Sequence, residues 1–167
     1  MKVKEITQLV EDSEEFKSWR TDNESDYLAH VFIMYDGDIL MDRQVGYYNE
    51  TKGTMSSFTI SDSKVTLIPE AEVLKKPDGS TVKGLGSTDV KIDFEEADEI
   101  ARRLLKEKYS KNASKKIYIL QRLDGKQLWN ITFLTGDYNT LNIRIDAENG
   151  DVVKDELVNI IDFQKSG

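Results

Sequence analysis

Cysteine is absent from the 167-residue chain, which removes disulfides, thiolate metal sites and thiol nucleophiles together. Such an absence suits either side of a membrane, so it leaves the redox compartment open. Histidine occurs once, as His30, and a multi-histidine metal site is excluded with it. Cations are outnumbered, 23 Lys and Arg against 31 Asp and Glu, for a net charge of -8. Affinity for phosphate backbones comes from Lys and Arg neutralising them, so nucleic acid is not expected as a partner. Long apolar runs are missing too, and nothing approaches the roughly 20 residues that span a bilayer. The N-terminal stretch opens with Lys2 and Lys4 but meets Glu5, Glu11 and Asp12 before an apolar run forms, unlike a secretory signal. The expectation is a soluble, cytoplasmic chain with no membrane insertion.

Catalytic signatures are lacking as well. No Gly-x-Ser-x-Gly elbow occurs, and no Gly-Lys-Ser/Thr follows Gly79, Gly84 and Gly86, so neither a hydrolase nucleophile nor a phosphate loop is indicated. Carboxylates are too abundant for any pair to be singled out as a glycosidase dyad.

What is present describes a folded protein. Hydrophobic residues make up 38 % of the chain and aromatics are spread along it, enough for a packed interior despite the high charge. A chain of this length supports one core, or two small ones sharing an interface. Ile6, Leu9, Val10, Phe16 and Trp19 mark one stripe of a helix over 4–20. Asp12-Ser13-Glu14-Glu15 reads as a capping box inside it, which leaves a kink or two short helices open. An apolar strand over 27–36 is stopped by Asp36-Gly37, and strands over 42–49, 54–61 and 65–68 follow, the last expected to end at Pro69. Residues 75–87 are polar and turn-forming and read as a linker.

Asp93 then caps a helix over 94–109, with Glu96 placed to reach back and Phe94, Ala97, Ile100, Ala101, Leu104 and Leu105 as its apolar stripe. Strands over 116–123, 127–135 and 140–146 alternate, with Trp129, Ile131 and Phe133 on one face and Leu141, Ile143 and Ile145 on a matching one. A turn over 146–150 leads to Val152 and Val153, and a short helix or extended tail carries Leu157, Ile160, Ile161 and Phe163. Both halves run helix, strand ending near Asp-Gly, then further strands, a parallel of order and not of identity. Duplication and chance recurrence both stay open on that ground. The fold class expected is α+β, two repeated helix-plus-antiparallel-sheet modules with helices on one sheet face, divided as 1–74, linker 75–87 and 88–167.

The second half resembles the PepSY family. The residues that carry the likeness are Glu96-Ala97 in the amphipathic helix, Trp129-Asn130-Ile131-Thr132-Phe133, and Ile145-Asp146-Ala147-Glu148-Asn149-Gly150-Asp151-Val152. Asn149 stands where the family usually has Thr, and Asp151 where it has Glu. The first half lacks the Asp-Ala-x-Thr-Gly turn and is assigned only through the repeat. The resemblance implies tandem modules of cystatin-like shape, no catalytic residues, no cofactor, and regulation of a peptidase or other protein by binding, since such modules are found in propeptides of secreted metallopeptidases and in membrane-linked proteins.

Among the residues themselves, Asp36, Asp38 and Asp42, and likewise Asp146, Glu148 and Asp151, raise the question of a divalent cation but read first as solvated turns. His30 has no nucleophile partner and reads as a packed or edge histidine. Tyr47, Tyr48, Trp129 and Tyr138 are the binding candidates, because aromatics dominate interfaces. Trp129 is assigned first to the core, whereas one of Tyr47 and Tyr48 is expected to face outward. The functional expectation is a non-enzymatic binding or regulatory protein holding a protein or peptide partner on a sheet face or edge strand. The alternative is a small-ligand or divalent-metal-binding domain without catalysis.

Overall fold

The computed structural model describes residues 1–73, 82–86 and 89–161, leaving Gly79 and most of the expected linker, and Phe163, outside the described residues. Two short helices open the chain, α1 (Val3–Glu11) and α2 (Glu14–Arg20). Ser13 divides them: its Oγ donates to the Val10 carbonyl at 2.6 Å and accepts the Phe16 N–H at 3.2 Å, closing one helix while capping the next. The two-helix alternative thus replaces the single helix over 4–20.

Strands β1 (Tyr27–Asp36), β2 (Ile39–Asn49), β3 (Thr54–Ser61) and β4 (Lys64–Glu72) form an antiparallel meander. Helix α3 (Phe94–Glu107) precedes a second meander, β5 (Ala113–Leu123), β6 (Lys126–Thr135), β7 (Asn139–Asp146) and β8 (Val152–Asn159). The first strands of the two meanders pair antiparallel, Ile33 opposite Tyr118, so all eight form one sheet in the order β4-β3-β2-β1-β5-β6-β7-β8. Turn chemistry sets the register. Asp124 and Gly125 both have positive φ, as the two-residue hairpin between β5 and β6 requires, and Asp62-Ser63 adopts the same conformation without a glycine.

One expectation about a strand end is corrected. Pro69 does not terminate β4, which runs on to Glu72. The strand is an outer one, and its pairing with β3 slips between Met55 and Ser57, beside the proline, where a missing N–H costs no regular ladder bond. Of the short helix or extended tail expected after Val153, the extended form holds through Asn159: Val152–Asn159 is an eighth strand paired along β7, with Leu157 packed against the core.

Alternation along each strand sends one set of side chains to a single buried layer. Val31, Val45 and Phe58 lie across β1, β2 and β3; Leu120, Trp129 and Ile145 continue the row across β5, β6 and β7. All belong to one core cluster with Val3, Ile6 and Val10 of α1, Phe16 of α2, and Phe94, Ala97, Ala101 and Leu105 of α3. The helices therefore cover one face of the sheet. Asp93 ties them together: its Oδ1 accepts the N–H of Phe94 at the start of α3 and of Val3 at the start of α1, both at 2.9 Å. Among the described residues no helix is long and apolar enough to cross a membrane.

Candidate functional site

The other face of the sheet carries the alternate residues, and its middle is apolar. Phe32 lies between Gln44 on β2 and Ile119 on β5; Met34 lies between Asp42 and Ile117. Phe32, Met34, Ile117 and Ile119 are half-buried and stand outside the core cluster and its packed neighbours. Polar residues flank them on both sides. Across β6 and β7 the strip continues into Asn130, Thr132, Asn142 and Arg144, with Asn142 Nδ2 donating to Asn130 Oδ1 at 2.7 Å and Thr132 Oγ1 at 3.2 Å. Across β2 and β3, Asp42 accepts from Thr59 Oγ1 at 2.7 Å and from Gln44 Nε2 at 2.5 Å. The flanks are therefore largely satisfied among themselves, while among the described residues no helix lies over the apolar strip between them. On the same face the buried Nε of Arg144 is a donor left without a hydrogen-bond partner.

His30 continues this face along β1, opposite Gly46 and Gln121. Its ring lies against the Gly46 backbone so closely that a Cβ there would sit 2.1 Å from Cε1, which explains the glycine in the middle of a strand. Burial lowers the imidazole to about 4, so it is neutral near pH 7. Its cross-strand neighbours, a glycine and a glutamine, are not nucleophiles.

The four aromatic candidates do not converge. Tyr47 is in the core on the helix side, ringed by Phe16 at 5.1 Å, Trp19 at 5.4 Å and Phe58 at 5.9 Å, and burial pushes its hydroxyl pKa upward. Tyr48 points the opposite way, as strand geometry demands, yet is only 2 % exposed. The ring of Tyr27 packs beside it at 5.8 Å and is tethered by a 2.6 Å bond to the Val82 carbonyl. The expectation that one of this pair is exposed is corrected: a residue can leave the core face and still be covered by the chain that folds round the sheet's end. Trp129 is fully buried, its Nε1 donating to the Ile92 carbonyl at 2.8 Å. Tyr138 alone is exposed, at 65 %, in the β6–β7 hairpin.

The acidic turns are engaged by the protein itself. Asp38 faces Lys116 at 3.4 Å, Asp42 is bonded as above, and Asp146 Oδ1 accepts the Glu148 N–H at 2.8 Å. Among the described residues no group of three or more His, Cys, Asp or Glu is placed to hold a metal ion. A polar cavity of about 520 Å³ does lie beside the β5–β6 and β7–β8 turns, and four of its charged residues pair, Lys91 with Glu148 at 3.5 Å and Lys126 with Asp146 at 4.0 Å.

Phe32, Met34, Ile117 and Ile119 were not among the sequence candidates. A signal existed: both 31–34 and 117–120 are apolar at consecutive positions, which makes both faces of the two central strands apolar.

Residues 91–156 match the PepSY family, described as the peptidase propeptide and YPEB domain. The matched segment holds α3 and β5 to β7 and reaches into β8, and the residues before it lie outside the match. No curated protein matches the chain. A crystal structure of a candidate lipoprotein from Clostridium difficile 630 has a similar fold, with a TM-score of 0.57 and 17 % identity over 85 % of this chain and 89 % of that one.

Proposed function

We propose that this chain, with its PepSY segment at residues 91–156, is a non-catalytic binding or regulatory protein that holds a protein or peptide on the sheet face its helices leave bare. The observation that carries the reading is the strip of Phe32, Met34, Ile117 and Ile119 across the two central strands, apolar and outside the core. Apolar surface gathered between polar flanks is what a partner's side chains bury most profitably, and an aromatic at its centre fits an interface anchor. The family description points to peptidases as one class of partner, and the exposed Tyr138 of the β6–β7 hairpin is a further candidate contact. The two-module organisation, 1–74 and 88–167 about a linker, belongs to the same proposal; the supporting feature is that each half supplies helix and four-strand meander in the same order.

The experiment is a displayed library of random peptides together with a panel of metallopeptidases, tested against the wild-type chain and against Phe32→Asp and Ile119→Asp. Selected peptides or an inhibited peptidase should lose at least about ten-fold in affinity with either substitution, the loss of one buried anchor. Binding that survives both substitutions, or a chain that selects no peptide and inhibits no peptidase, rejects the reading.

A further inference from the structure

The two outer strands of the sheet are not equivalent. On β4 the edge is broken by Pro69, which has no N–H to offer, and by the slip in pairing beside it. On β8 no proline occurs, and irregularity is confined to the start, between Lys154 and Val152. Among the described residues β8 has a strand neighbour on one side only. Helix α3 stands over this border, and Ile100 and Leu104 with Val152 line a groove of about 360 Å³, rimmed by Arg103, Glu107 and Lys108.

Lys154, Asp155 and Glu156 occupy the middle of the β8 edge. Charges in such a place ordinarily guard against strand addition. Their order, however, matches itself when reversed. In an antiparallel pairing centred on Asp155, Lys154 of one copy faces Glu156 of the other, and the reciprocal pair forms on the same sheet face. Both residues are about half exposed, 3.4 Å apart within the strand. The Asp155 pair at the centre points to the opposite face, where each carboxylate is already bonded by Lys108 Nζ at 2.7 Å and by the Tyr109 hydroxyl. Like charge at the axis is thus compensated within each chain.

We infer that β8 is the docking edge for β8 of a second copy, joining two sheets antiparallel about a two-fold axis at Asp155. The arrangement is an isologous interface in which each contact occurs twice, and a ninth strand beside β8 also closes the groove under α3. The joint repeats what the chain does internally, where β1 and β5 pair antiparallel to unite two four-stranded meanders. It is independent of the bare-face reading, because the face and the edge share none of the residues being tested.

Sedimentation of the full chain over a range of concentrations is the test. The wild type is expected to form dimers. K154E places two acids on the docking face and E156K two bases, so each alone should weaken dimerisation by about ten-fold or more, since two opposite-charge cross-strand pairs become two like-charge ones. Mixed together, those two variants should form heterodimers, and the K154E/E156K double variant should regain the wild-type dimer. Recovery on mixing shows that neither single variant has lost its fold. A wild type that stays monomeric to about 1 mM overturns the inference. So do dimers indifferent to both substitutions, and so does a chain whose β8 amides are protected from exchange by an added extended peptide but not by raised protein concentration.

Discussion

His30 shows how a single side chain becomes legible only through its neighbour. Its imidazole occupies the space a Cβ on Gly46 would need, and the same burial depresses its basicity to about 4 from an ordinary 6.5. Because the folded value is the lower one, the unfolded chain takes up the proton first as the pH falls. The stability held by neutral His30 is therefore complete above about pH 6.5 and is lost progressively down to about pH 4, a total near 3 kcal/mol. Urea unfolding at pH 7 and pH 4.5 should give a stability difference larger by about 2 to 3 kcal/mol in the wild type than in His30→Asn. Equal differences in the two proteins would mean that the ring is solvated. The sequence revealed a histidine in an apolar strand with no catalytic partner. That a glycine sixteen positions later makes room for it depends on the β1–β2 register, which no local pattern encodes.

At the scale of elements, helix starts were well signalled and helix relations were not. Asp93 was recognisable as a cap, because an acidic residue before an amphipathic run supplies the acceptor that free N–H groups need. Its second bond, from Val3 ninety residues earlier, fixes α1 against α3 and had no local trace. Asp93→Ala should cost about 1–2 kcal/mol in chemical denaturation, at the upper end for a cap because two donors lose one acceptor. Amide exchange at Val3 should quicken together with that at Phe94. If Val3 exchange is unchanged, the tie between the helices is not formed in solution. The strands divide in the same manner. Alternation in 127–135 and 140–146 announced a buried face, and Asp124-Gly125 announced a hairpin. The continuation of β4 past Pro69 followed from its place at the sheet border, a fact about neighbours and not about the strand.

At the scale of the whole molecule the two halves share one core. The pairing of β1 with β5 makes the sheet continuous, and one cluster of buried residues extends from Val10 and Phe58 to Leu141 and Ile143. The two tryptophans report on this, since Trp19 packs on Phe58 in the first half and Trp129 on Phe94 in the second. Single-tryptophan variants, Trp19→Phe and Trp129→Phe, should each unfold in one transition whose fluorescence midpoint coincides with its far-UV circular dichroism. Midpoints that separate, with one half melting before the other, would show that the β1–β5 seam does not couple them.

Composition, turn residues and period determined by themselves that this chain folds as α+β, where most helices and strands begin and end, and that its second half carries PepSY-like marks. Those properties are local, set within a few residues by backbone preference and by alternation of side chains. Tertiary structure alone decided that the meanders merge into one sheet, that Tyr47 and Tyr48 are both buried, and that Phe32, Met34, Ile117 and Ile119 lie together on the face opposite the described helices. Such outcomes depend on which strands become neighbours and on what chain passes over them. The gain in burying surface between distant segments settles that choice, and it has no signature in any short stretch of sequence.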